Sequence, residues 1–215
     1  MRNRYRHLVK KTTTFKRLVN LVKIYSSYYL SVFTKKAFVW GYPASIMIEP
    51  TNICNLRCPL CPSGNGTLTR KRGSIDFKLF EKIVEELHDK IFMLFFWNQG
   101  EPFLHKNMNE MVRYAAERKI YTTISTNCNT DLDAEEVVKS GLDCLIISLD
   151  GADQETYNKY RINGNLDKVL DNVRNLVAAK KKLKSKTPFL VWQFIIMKHN
   201  EFQVDSIRKM ALDIG

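Results

Sequence analysis

The chain has 215 residues, 45% hydrophobic and 26% charged, a globular composition long enough to bury a core of its own. No window reaches the roughly 18 consecutive apolar residues of a membrane-spanning helix, and the basic amino terminus is not followed by the apolar run and cleavage site of a signal peptide. The net charge of +12 does not favour a nucleic-acid partner, because ten of the excess charges lie in the first 48 residues and the remainder is nearly balanced.

That leader carries Arg2, Arg4, Arg6, Lys10, Lys11, Lys16, Arg17, Lys23, Lys35 and Lys36, and its first acid is Glu49. Residues 8–33 carry Leu8, Phe15, Leu18, Val19, Leu21, Val22, Tyr25, Tyr29 and Val32, several of them three or four apart, as on one face of a helix. The pattern predicts a basic amphipathic helical leader over 1–43. It either packs on the domain with a solvated basic face or makes peripheral contact with an anionic membrane surface.

From Ala44 the chain alternates. Strands are predicted at 44–50, 91–97, 120–127, 142–150 and 188–197, and helices at 76–90, 107–119, 133–141, 166–185 and 201–215. Asp133 is the expected N-cap of the third of these helices and Gly141 its stop. The run IFMLFFW at 91–97 reads as a strand buried on both sides. Apolar strands separated by helices imply parallel pairing with right-handed crossovers. The expected fold is therefore α/β, a partial (β/α) barrel spanning 44–215, with its functional residues after the strands.

The first strand is followed by EPTNICNLRCPLCPSGNG, which spaces Cys54, Cys58 and Cys61 as C-x3-C-x2-C. Three thiolates are one ligand short of a closed zinc site, and neither His88 nor His105 stands at a partner spacing. An iron–sulfur cubane held by three cysteines keeps one iron open to a small molecule, which suggests chemistry rather than structure. An odd number of clustered thiols makes disulfides a poor reading. The isolated Cys128 and Cys144, the latter in an apolar run, fit a reducing cytosol, so a cytoplasmic location is expected. Polar segments follow the next three strands as well: Asn98 to Pro102 (NQGEP), Ser125 to Asn127 (STN) and Ser148 to Gly151 (SLDG). Singly, each is ordinary loop chemistry; four at one end of a sheet mark a site.

These ordered motifs, from about Ala44 to Gly215, resemble the radical S-adenosylmethionine (SAM) superfamily. The resemblance implies that Cys54, Cys58 and Cys61 hold a [4Fe-4S] cluster whose open iron is chelated by SAM. It implies that Leu60 packs on adenine, where many members have an aromatic residue. QGEP is similar to the family's GGEP motif, with Gln99 in place of the first glycine; Gln99, Gly100 and Glu101 would meet the methionine amino group. Ser125 and Asn127 would contact the ribose and methionine ends, with Cys128 where the family commonly has glycine. Ser148 and Arg161 would bind the methionine carboxylate, for which a guanidinium fork is suited. The implied activity is reductive cleavage of SAM to a 5′-deoxyadenosyl radical that abstracts hydrogen from an unidentified substrate. A flavodoxin or ferredoxin would be the electron donor. The style of the cysteine loop is similar to SPASM-type members, which often act on peptides or proteins. Their further strand, helix and auxiliary-cluster cysteines are not found before Gly215, so the chain reads as part of a longer enzyme. The alternative expectation is a non-catalytic cluster- and SAM-binding remnant or subunit. In either case the fifth strand is expected to present an apolar edge.

Overall fold

The computed structural model describes residues 2–214. Five strands, β1 (Ser45–Ile48), β2 (Met93–Phe96), β3 (Tyr121–Thr126), β4 (Cys144–Ser148) and β5 (Phe189–Gln193), pair in sequence order into one all-parallel sheet. Pairing Ile48 with Phe96, Phe96 with Ile124, Thr126 with Ile147 and Ser148 with Gln193 brings the carboxyl ends of the strands to a common edge.

Between the strands run α4 (Phe77–Leu87), α5 (Met108–Glu117), α6 (Ala134–Lys139) and α8 (Leu166–Lys182), and α9 (Val204–Ile214) follows β5. The predicted alternation is therefore present. Gly215, expected at the end of the last helix, lies outside the described residues. Asp76 caps α4 by accepting from the N–H groups of Lys78 and Leu79, and Asp133 caps α6 by accepting from Glu136 N–H, as expected. Gly141, at φ +81, ends the turn after α6. Two short helices carry no strong apolar period and are not evident in the sequence: α3 (Pro62–Asn65) inside the cysteine loop and α7 (Gln154–Tyr160) after β4.

The core lies between the sheet and its helices. Phe80 and Val84 of α4 bury against β2, with the Phe80 and Phe96 rings 5.8 Å apart. Two expectations need correction here. β2 is not buried on both sides: Leu94 and Phe96 face the helices and are fully buried, while Met93 and Phe95 are half-buried. The second face of an open partial barrel lacks the helical layer that covers the first. β5 is shorter than predicted, because Phe194 to Met197 leave the strand before the turn at Met197 to Asn200. β5 pairs with β4 and has no second strand neighbour among the described residues, and its apolar residues are half-buried.

The leader forms two helices, α1 (Arg2–Thr12) and α2 (Phe15–Thr34), rather than one continuous segment over 8–33. The break falls at consecutive β-branched threonines, and Thr14 turns extended to cap α2, accepting from Arg17 N–H. Both helices pack across the amino ends of the strands, opposite the cysteine loop. Asp143, buried just before β4, accepts from His7 Nε2 at 2.6 Å, Lys11 Nζ at 2.5 Å and the Thr122 N–H at 2.8 Å.

Arg17 is 1% exposed. Its guanidinium donates to the carbonyls of Thr12, His88, Arg118 and Lys119 at 2.6–3.1 Å. Those carbonyls end α1, α4 and α5, so one cation satisfies the open C-termini of three helices. Asn20 donates to the carbonyls of Tyr42 and Lys90 and accepts from Tyr42 N–H. The expectation that the leader packs on the domain holds, but the face it buries is polar. The fully buried positions of α2 are Arg17, Asn20 and Ser27.

Candidate functional site

The cysteine loop crosses the carboxyl edge of the sheet and is pinned from several directions. Arg57 N–H donates to Ile162 O at 2.9 Å, Glu101 N–H to Ile53 O at 2.8 Å, and Gly64 N–H to Cys61 O at 2.9 Å. Two glycines permit this packing. A Cβ on Gly100 would lie 2.2 Å from Thr51 O, and Gly100 also has φ +78; a Cβ on Gly64 would lie 2.7 Å from Cys58 N. Gly100 of the QGEP segment is thus required by close backbone approach to the cysteine loop. Gln99 is not among the positive-φ residues, so the glycine-to-glutamine departure is accommodated.

Each thiol meets a polar side chain from a different segment beyond the carboxyl edge of the sheet. Asn127 Nδ2, after β3, lies 3.7 Å from Cys54 Sγ. Arg161 Nη1, at the end of α7, lies 3.9 Å from Cys58 Sγ. Gln99 Oε1, after β2, lies 3.5 Å from Cys61 Sγ and 3.2 Å from Ser63 Oγ. As a thiol, Cys61 donates to this amide oxygen; a thiolate would call for the opposite amide orientation, presenting N–H to sulfur. Gln99 therefore contributes a side chain that a glycine lacks.

Glu101 is buried and receives three hydrogen bonds, from Thr126 Oγ1 and Asn127 N–H at 2.7 Å each and from Phe103 N–H at 3.2 Å. Burial pushes its carboxyl above the ordinary range, and these donors pull against that shift. Burial likewise pushes the Cys54 thiol up to about 11 and raises Cys58, where the Arg161 cation works in the opposite direction. All five cysteines are free thiols.

Asn127 also donates to Asn55 Oδ1 at 3.0 Å and accepts from Asn129 N–H at 2.8 Å. Asn129 continues the network to Tyr157 Oη at 2.7 Å. Arg161 is held by fully buried Asp150, with Nε 2.6 Å from Oδ2, while the other oxygen of Asp150 accepts from Ile195 N–H. The glycine of SLDG is fixed by packing, because a Cβ on Gly151 would lie 2.3 Å from Tyr157 N. Cys128 has φ +57, the left-handed conformation that explains why glycine suits this position.

The fold thus brings Cys54, Cys58, Cys61, Gln99, Glu101, Asn127 and Arg161 together around one loop, in three side-chain groups, one at each thiol. Ser125 and Ser148 stand at the carboxyl ends of β3 and β4 but are not joined to them by side-chain hydrogen bonds among the described residues. Leu60 projects outward, 79% exposed. The sequence reading missed Asp150 and Asn55. Asp150 lies inside the quoted SLDG, but nothing local in the sequence distinguishes it from other acids, because its role depends on burial beside Arg161.

Among the described residues no three His, Cys, Asp or Glu side chains converge as they would around a single metal ion. A cubane places one cysteine on each of three separate irons, so its thiolates stand apart. Three thiols on one loop leave a closed tetrahedral ion one ligand short, whereas they supply one thiolate to each of three irons of a cubane.

Residues 48–202 match the family described as the Radical SAM superfamily. The chain is 27% identical over 175 residues to the tungsten-containing aldehyde ferredoxin oxidoreductase cofactor-modifying protein of Pyrococcus furiosus, covering 79% of this chain and 48% of that protein. It is 32% identical over 127 residues to the PqqA peptide cyclase of Granulibacter bethesdensis, covering 57% of this chain and 32% of that protein. In fold it is similar to Streptococcus suis SuiB bound to S-adenosylmethionine, with a TM-score of 0.70, 16% identity, and coverage of 88% of this chain and 42% of that one. The chain spans about half or less of the length of these proteins. Members of the matched family use a [4Fe-4S] cluster and SAM, which accords with the three-thiol loop and the motifs at the strand ends. The chain belongs to the radical SAM superfamily.

Proposed function

We propose that Cys54, Cys58 and Cys61 ligate a [4Fe-4S] cluster and that the polar groups around the loop bind SAM against its open iron. The observation that carries this reading is the placement of Asn127, Arg161 and Gln99 against the three sulfurs, two from strand ends and Arg161 from the end of α7. When bound and reduced, such a cluster supplies the electron that cleaves SAM and yields a 5′-deoxyadenosyl radical for hydrogen abstraction. Arg161, with Nε engaged by Asp150, keeps its terminal nitrogens for the methionine carboxylate, and Ser148 lies at the adjacent strand end. Gly100 and Glu101 meet the methionine amino group, Ser125 and Asn127 the ribose side, and exposed Leu60 covers adenine. Polar groups bonded to or near the sulfurs bear on the cluster's reduction potential.

The substrate is proposed to be a peptide or protein. This is supported by the PqqA peptide cyclase relative and by the similar fold of SuiB, which has been crystallised with its precursor peptide SuiA. A flavodoxin- or ferredoxin-type protein is the proposed reductant. Five unpaired thiols support a cytoplasmic setting, in which residues 1–43 form a leader in peripheral membrane contact and 44–215 form the catalytic partial barrel. Among the described residues no helix is long and apolar enough to cross a membrane.

The test is anaerobic reconstitution followed by dithionite and SAM. Formation of 5′-deoxyadenosine and methionine by the wild type, and by none of the Cys54→Ala, Cys58→Ala or Cys61→Ala variants, is expected. A loaded protein that binds SAM and leaves it intact would reject the catalytic reading.

A further inference from the structure

The leader helix α2 is docked with its polarity reversed. Its inward stripe is Arg17, Asn20, Ile24, Ser27 and Ser31, spaced three or four apart and mostly polar. On the opposite side, Phe15, Leu18, Val22, Tyr25, Tyr29 and Phe33 face solvent. Phe15 is 82% exposed, Val22 65%, Tyr29 66% and Phe33 87%. At about 100° per residue these six positions fall within an arc of roughly 100°. Beyond the helix, Val39 and Trp40 are exposed as well. A surface helix ordinarily buries its apolar stripe. Here Arg17 and Asn20 of the polar stripe close the base of the barrel, Ser31 bonds to Phe38 of the returning segment, and the apolar arc is left uncovered.

We infer that this arc is a membrane-surface docking face, inserted shallowly into an anionic bilayer. Charge selects the occupant. The arc belongs to a leader with ten cations and no acid before Glu49; of these, Arg17 is buried and Lys11 is paired with Asp143. Lys23 flanks it on α2 and Lys35 and Lys36 follow the helix end; Lys16, on the same flank as Lys23, is paired with Asp89. A second copy would set one such leader against another and repel, whereas anionic headgroups complement it. Exposed Tyr25, Tyr28, Tyr29 and Trp40 are the amphipathic rings that suit the headgroup boundary. The cysteine loop lies at the other end of the strands, so a docked molecule turns that mouth away from the lipid.

This inference sharpens the leader reading above and is independent of the cluster chemistry, so the two fail separately: vesicle binding is expected to be equal with and without iron. The experiment is co-sedimentation with neutral phosphatidylcholine vesicles and with vesicles containing about 30% phosphatidylglycerol, across a salt series. Wild-type protein is expected to partition onto the anionic vesicles and to be released in part by salt. Val22→Glu with Tyr29→Glu, both at exposed positions, is expected to lower partitioning by roughly tenfold or more with an unchanged melting temperature. Lys23→Glu with Lys35→Glu provides a second variant that leaves the arc intact and is expected to weaken the anionic preference. Equal sedimentation of wild type with neutral and anionic vesicles, or undiminished binding by both variants, would overturn the inference. A dimer in sedimentation equilibrium that Val22→Glu with Tyr29→Glu dissolves, without vesicle binding, would assign the arc to a second copy instead.

Discussion

Arg161 reaches the cysteine loop because Asp150 holds it there: Nε lies 2.6 Å from a carboxylate that is fully buried, and Nη1 lies 3.9 Å from Cys58 Sγ. Asp150→Asn would leave the guanidinium without its charge partner. Breaking a buried pair from one side typically costs on the order of 3–5 kcal/mol. Urea denaturation should show a loss of that order, and calorimetry on the folded protein should show weaker SAM binding. Arg161→Ala should weaken SAM binding more than Arg161→Lys, which keeps the charge but loses the fork. Equal affinity in all three proteins would remove Arg161 from the SAM site.

Gly100 and Gly66 separate two costs that a sequence cannot distinguish. Both have positive φ, but a Cβ on Gly66 meets nothing within 4 Å, whereas one on Gly100 meets Thr51 O at 2.2 Å. Gly66→Ala should cost about 1 kcal/mol, the conformational penalty alone. Gly100→Ala should cost at least about 2 kcal/mol, because backbone must move as well, and should impair iron loading. Similar melting temperatures for the two variants would contradict this packing.

Arg17→Met should be among the most destabilising single changes in the leader. It leaves carbonyls at the ends of α1, α4 and α5 without their donor, at an expected cost of at least about 3 kcal/mol by chemical denaturation. Arg17→Lys, with one ammonium for four carbonyls, should fall between. Because this latch lies at the opposite end of the strands, the folded fraction of either variant should still take up iron.

Cys54 makes a pH prediction for the iron-free protein. With the thiol pushed up to about 11 by burial, its thiolate fraction rises tenfold per pH unit well past the midpoint of an ordinary cysteine near 8.5. Alkylation of Cys54, followed by peptide mass spectrometry, should accelerate steadily from pH 7 to 9.5 without levelling. A plateau above pH 8.5 would show that burial does not control this thiol.

The strand–helix alternation was legible because period and run length report directly on which residues share a face. The cysteine spacing and the four strand-end segments were legible for the same reason: each is local in sequence. Three features were not. Gln99 reads as a departure from a glycine motif, and only folding brings its amide against Cys61 and Ser63. Asp150 is one of many acids until burial pairs it with Arg161. In α2 the helical period correctly groups Phe15, Leu18, Val22 and Tyr29, but period alone does not say which face docks. That choice was made by Arg17 and Asn20, whose bonds to backbone carbonyls at the base of the sheet outweigh the ordinary preference for burying the apolar side.

We propose above that three cysteines hold a cubane whose fourth iron belongs to SAM. The most direct test is iron and sulfide analysis of the anaerobically reconstituted protein, with electron paramagnetic resonance of the reduced form before and after SAM is added. About four iron and four sulfide per chain are expected, with loss of both in Cys54→Ala, Cys58→Ala and Cys61→Ala, and a cluster signal that SAM perturbs. A colourless protein carrying one tetrahedral zinc at these thiols, or a cluster signal indifferent to SAM, would contradict this proposal.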